Sequence, residues 1–217
     1  MVSDQPEEER RLVARTLAGD LSAFESLVAR YEKRVYHLAL RLLGSPPDAE
    51  DAAQEAFMRA FASLGSFRGQ ARFGTWLYRI TVNACRDLVR RRRRFFPVAP
   101  AGASGLSPAR DDPQEEASRA ELRASVEQAI AALPYEFREA VLLRDLQGLT
   151  YEEMAQVLGV PLGTVKSRIH RGRQLLRQHL EEPEPPPGVQ KTGALQGAPP
   201  VPAPKAHQEG LQGEGRP

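Results

Sequence analysis

Phe24, Leu27, Val28, Tyr31, Val35, Leu38 and Leu42 fall three or four residues apart, the spacing of one face of an α-helix. Asp20 precedes that stripe where a carboxylate can cap a helix start, and Gly19 before it suits the end of an earlier helix over Glu7–Ala18. Gly44-Ser45-Pro46-Pro47 stops the long helix. A third begins at Asp48, with Ala53, Phe57, Ala60, Phe61 and Leu64 expected on its inner face. After a loop at 65–74, a fourth runs from about Thr75 to Arg93 with Leu77, Ile80, Ala84 and Leu88 as its core stripe. A second block is expected to hold helices near 117–132, 135–147, 150–158 and 162–180. The pattern predicts an all-α protein of two small helical domains, spanning 7–95 and 117–180, joined by a flexible linker.

Composition sharpens this. Of 217 residues, 41% are hydrophobic and only 6% aromatic, which suits helices better than sheets. The 96–116 stretch is rich in Pro, Gly, Ser and acids and cannot bury enough apolar surface to order itself; a Pro/Gly-rich tail over 181–217 reads the same way. The acidic N-terminus is no signal peptide, no run is apolar enough to span a membrane, and the lone Cys85 can form no internal disulfide. These point to a cytoplasmic protein without membrane insertion.

The net charge of +2 hides strong segregation. Residues 48–55 hold four acids and no base, 86–94 hold Arg86 and Arg90 to Arg94 against one Asp87, and 166–177 hold five bases and no acid. Thr150-Tyr151-Glu152-Glu153 is a capping box, Gly159 supplies a left-handed turn and a new helix starts near Pro161, which together make a helix-turn-helix. A wheel of the second helix puts Val165, Ile169, Gly172 and Leu176 inward. Thr164, Ser167, His170, Arg171 and Gln174 face outward with Lys166 at the edge, a donor-rich face of the kind that reads base edges, and Arg168 and Arg173 flank it where phosphates would lie. The alternative is a solvated basic face.

A similar wheel of the fourth helix gives a polar stripe of Arg79, Asn83, Arg86 and Arg90 with Trp76 at its edge. The preceding loop interleaves Phe67, Arg68, Arg72 and Phe73, a composition suited to single-stranded DNA, unless Phe67, Phe73 and Trp76 simply plug the core. The third helix presents Asp48, Asp51, Gln54, Glu55, Met58 and Arg59, an acidic face that fits a basic protein partner or plain solvent rather than DNA. His170 and His179 lack further ligands, so neither a metal nor another cofactor is expected, and no catalytic constellation is found.

Asp48-Ala-Glu-Asp51-Ala-Ala-Gln54-Glu55-Ala-Phe57, Phe67-Arg68 and Thr75-Trp-Leu-Tyr-Arg-Ile-Thr-Val-Asn83 resemble the second conserved region of bacterial sigma factors. Leu133-Pro134, Gly148-Leu-Thr-Tyr-Glu-Glu-Met-Ala155 and Gly163-Thr-Val-Lys-Ser-Arg168 resemble the fourth. Their union without a third region is similar to the extracytoplasmic-function (ECF), sigma-E-like group. The resemblance implies an alternative sigma factor, not an enzyme, that binds core RNA polymerase through the 48–59 face. It implies that the 66–76 loop and the fourth helix capture and melt the −10 element, while Thr164 to Gln174 read the −35 element. Members are often held by an anti-sigma factor. A free-standing helix-turn-helix repressor and an arginine-rich RNA-binding protein are the rival readings.

Overall fold

The computed structural model of the chain describes residues 5–95 and 113–181, and every regular element among them is helical. The expected linker up to residue 112 and the tail beyond Glu181 lie outside the described residues. Four helices build an N-terminal lobe: α1 (Gln5–Leu17), α2 (Leu21–Leu43), α3 (Pro46–Ser63) and α4 (Phe73–Phe95), with a 3-10 turn at Leu64–Ser66. The C-terminal lobe holds α5 (Pro113–Ala132), α6 (Tyr135–Val141), a π-helical turn (Leu142–Leu146), α7 (Tyr151–Leu158) and α8 (Leu162–Glu181).

The caps of α2 and α7 sit where the sequence put them, whereas α3 starts at Pro46 rather than Asp48, because prolines suit the first turn of a helix. Asp20 accepts from the backbone of Ser22 and Ala23, and Gly44 ends α2 at φ 68°. The Thr150–Glu153 box is closed in both directions, and Gly159 turns at φ 69° between α7 and α8. α5 starts earlier than expected, at Pro113, a start that proline's fixed φ favours.

The inner face of α3 differs from the expected one. Ala49, Ala52, Ala56 and Ala60 are the buried residues, while Phe57 is only half-buried and Phe61 lies 46% exposed against Phe24. Four alanines let α2 and α4 approach α3 closely, and the larger rings are left at the edges of that seam. The predicted single helix over 135–147 also changes character, since its last turn widens to π-helical pitch.

The buried apolar residues form one cluster that runs from Leu12 in α1 to Ile169 in α8. α4 joins the lobes. Beyond the expected Leu77–Ala84 side, it buries Tyr78, Val82 and Cys85 and half-buries Val89, a second apolar stripe at threes and fours. α7 packs on α4 directly.

Candidate nucleic-acid interface

The start of α4 is anchored on α2. The Tyr31 hydroxyl donates to Glu9 at 2.6 Å, its ring meets Phe73 edge-on at 5.6 Å, and Gly74 lies so close beneath it that a Cβ there would be 2.8 Å from the hydroxyl oxygen. Burial and the Glu9 carboxylate raise the Tyr31 pKa, so the phenol stays a donor. This anchor fixes the loop ahead of it. Phe67, Phe73 and Trp76 cluster with ring centroids 5.2–6.0 Å apart. Phe73 is only 3% exposed, whereas Phe67 and Trp76 keep part of their surface. Phe73 is thus a core plug, and only Phe67 and Trp76 have ring surface to offer a base. Arg68 and Arg72 are exposed beside them.

Along α4, Arg79, Asn83 and Arg90 point to solvent, with Arg90 paired to Asp87. Arg86, on the same stripe, is turned instead onto Glu139 of α6. That carboxylate raises its pKa further and keeps it charged.

The α3 face keeps Asp51, Gln54, Glu55 and Met58 exposed, Met58 by 60%. Two neighbours expected there are engaged within the lobe. Asp48 pairs with Arg92, and Arg59 bridges Glu55 at 2.7 Å and Asp87 at 2.9 Å. The Arg59 hydrogen bond holds Asp87 below the usual carboxylate range.

On α8, Val165, Ile169 and Gly172 are buried as the wheel requires, and Lys166, Ser167, His170, Arg171 and Gln174 are exposed, with Thr164 half-buried. The flanking arginines are tethered. Arg168 pairs with Glu136 at 3.2 Å and Arg173 with Asp145. Sequence patterning missed these tethers because their partners lie 32 and 28 residues away on α6 and the π turn. No group of three or more His, Cys, Asp or Glu among the described residues could hold a metal ion.

An acidic helix, a basic helix with an aromatic loop and a helix-turn-helix thus occur in one chain in a fixed order. Residues 27–95 match the Sigma-70 region 2 family, and residues 123–176 match the Sigma-70, region 4 family. The chain is 37% identical over 183 residues to the RNA polymerase sigma-H factor of Pseudomonas aeruginosa, covering 81% of this chain and 95% of that one. It belongs to the ECF group of RNA polymerase sigma factors.

Relatives named as ECF sigma factors carry this assignment. SigE of Mycolicibacterium smegmatis is 45% identical over 161 residues, which cover 74% of this chain but 62% of SigE, less than two thirds of its length. SigW of Bacillus subtilis is 35% identical over 181 residues, covering 80% and 97%. Among solved structures, CnrH in complex with the cytosolic domain of CnrY superposes with a TM-score of 0.61 at 31% identity, covering 80% of this chain and 97% of that one. RpoE of Bartonella quintana in complex with the anti-sigma factor NepR gives 0.63 at 27%, covering 72% and 96%. The chain is therefore an alternative sigma factor, a transcription initiation factor whose family binds core RNA polymerase and promoter DNA. No described helix is long and apolar enough to cross a membrane.

Proposed function

We propose that each job of the sigma factor falls to one of the three surfaces. Asp51, Gln54, Glu55 and Met58 on α3 dock core polymerase, with Asp48 and Arg59 shaping that face from within. The 66–76 loop and the α4 stripe capture the −10 strand: Phe67 and Trp76 stack on unpaired bases, while Arg68, Arg72, Arg79, Asn83, Arg86 and Arg90 hold phosphates and base edges. α8 reads the −35 element in the major groove through Lys166, Ser167, His170, Arg171, Gln174 and the half-buried Thr164, with Arg168 and Arg173 on the backbone. The division at 7–95 and 117–180 into two working lobes follows from this, as does cytoplasmic action without catalysis by the sigma factor itself. Strand opening needs no hydrolysis, because stacking and phosphate contacts to the captured strand offset the lost base pairing.

The observation that carries the reading is the exposed donor face of α8. Lys166, His170 and Arg171 are exposed on the second helix of a helix-turn-helix whose inner residues Val165, Ile169 and Gly172 are buried. The test is run-off transcription on fragmented genomic DNA with core polymerase, with and without this protein. Discrete transcripts that need the protein support the assignment, and their start sites align to give both promoter elements. DNA binding indifferent to core, with no transcripts, favours a repressor instead.

A further inference from the structure

Residues 166–177 of α8 include no acid, yet two carboxylates from other elements sit on its flanking arginines. Glu136, in the first turn of α6, accepts from Arg168 Nη2 at 3.2 Å. Asp145 accepts through both oxygens from Arg173, from Nε at 3.2 Å and from Nη2. Lys166 and Arg171 are exposed and make no ion pair among the described residues. The frame behind each carboxylate is fixed. Gly172 seats α8 against α6 at Phe137, the residue after Glu136. Asp145 belongs to the π turn, a rare geometry that recurs at functional sites. Its neighbour Arg144 ties that turn to the helix-turn-helix, donating to the Leu149 carbonyl at 2.7 Å and lying 5.0 Å over the Tyr151 ring.

Stability does not account for these pairs. Their side chains are 20–54% exposed, and ion pairs at such sites contribute little to folding. Beside a phosphate backbone the carboxylates also repel. What they change is the freedom of the arginines. A guanidinium presents five donors in a rigid fork, so Arg173 keeps its Nη1 edge for a phosphate while Nε and Nη2 stay on Asp145. An untethered arginine can follow phosphates over many poses, including those in which the helix sits out of register. A tethered one reaches only the phosphates that fit one seating of α8. We propose that Glu136 and Asp145 are positioning residues for −35 selectivity, restraining Arg168 and Arg173 so that their phosphate contacts form only when α8 is seated on its own element. This deepens the −35 assignment of α8 and rests on it. The two acids weaken binding to wrong sequences instead of strengthening binding to the right one.

The test uses the full chain with core polymerase on a promoter fragment located by run-off transcription, and on the same fragment with its −35 element scrambled. Equilibrium competition at fixed salt gives both dissociation constants and their ratio. In Asp145→Asn, and in Glu136→Gln, the scrambled fragment should bind about threefold more tightly while the intact promoter gains nothing, so the ratio falls. Glu152→Gln removes the same charge from an exposed site of α7 and should leave the ratio as it was. In an Arg173→Ala background, Asp145→Asn should no longer move the ratio, which a purely structural role of Asp145 would not predict. An unmoved ratio in both carboxylate variants overturns the proposal. So does an equal fall in Glu152→Gln, or a fall that persists without Arg173. Failure of the −35 assignment itself shows earlier and differently: the unaltered protein would bind both fragments alike, and the proposal would fall with it.

Discussion

Gly172 is where α8 comes closest to α6. A Cβ there would lie 2.7 Å from Val141 Cγ2 and 3.3 Å from the Phe137 carbonyl oxygen. The valine methyl can turn, but the backbone carbonyl cannot easily retreat, so Gly172→Ala should destabilise the protein by about 1–3 kcal/mol despite alanine's better helix propensity. Urea denaturation measures it, and a neutral or stabilising result would show that α6 slides freely on α8. The residues beyond this contact separate into two kinds. Lys166 and Arg171 are exposed with no partner in the helix-turn-helix, whereas Arg168 and Arg173 are tethered by Glu136 and Asp145. Lys166→Ala or Arg171→Ala should therefore cost about 1–3 kcal/mol at particular −35 base pairs. Arg173→Ala should weaken all promoters alike, as loss of a phosphate contact does. Competition binding across single-base promoter variants, with core polymerase present, separates the two patterns.

At the scale of the helices, the docking role proposed for α3 can be tested by reversing one charge. Glu55 keeps a side-chain exposure of 47% while it accepts from Arg59, and Arg59 also holds Asp87. Reversing that charge in Glu55→Lys leaves Arg59 its second partner, so the fold should stand while affinity for core polymerase falls by tenfold or more, an interface effect of about 1.4 kcal/mol or above. Circular dichroism checks the first half, and a core-binding titration with the labelled protein checks the second. The α2 cap gives a pH prediction. Hydrogen bonds from Ser22 and then Arg15 hold the Asp20 carboxyl at about 2. A folded pKa below the unfolded value near 3.9 means the cap stabilises fully above the latter and loses its contribution as pH falls toward 2. The stability difference between the protein and Asp20→Ala should therefore shrink over that window and be constant above pH 5.

These helices were largely legible from sequence because caps and stripes are local. The α2 stripe, the Thr150–Glu153 box and the inward face of α8 all obey spacings of three and four. What misled was size: Phe57 and Phe61 outweighed the alanines of α3, although the alanines are what close packing required. In α4 the Tyr78–Val82–Cys85–Val89 stripe was equally visible in the spacing. A second apolar face has no use in a lobe that stands alone, so its meaning shows only once the second lobe packs on it. The π turn left no sign in its residues.

For the whole molecule, that second stripe decides how the lobes behave. Two domains on a flexible linker would unfold independently, each with the small stability of a core built from fewer than about 80 residues. Here the buried apolar residues form one cluster across both lobes, and Glu139 is buried with its charge satisfied by Arg86 of the other lobe. Removing either lobe exposes the α4 stripe and strands the carboxylate, so neither should be as stable alone as in the chain. Contacts of this kind join residues 53 to 96 positions apart and leave no local pattern to read. The chain supplies its own probe, since Trp76 is its only tryptophan and lies in the N-terminal lobe. Urea unfolding followed by Trp76 fluorescence should coincide with unfolding followed by helical circular dichroism, which averages over both lobes. In Glu139→Lys the two curves should separate, because the C-terminal lobe then melts on its own. Curves already separate in the unaltered protein would mean that the lobes touch without stabilising one another, and the shared core would then carry no cooperative weight.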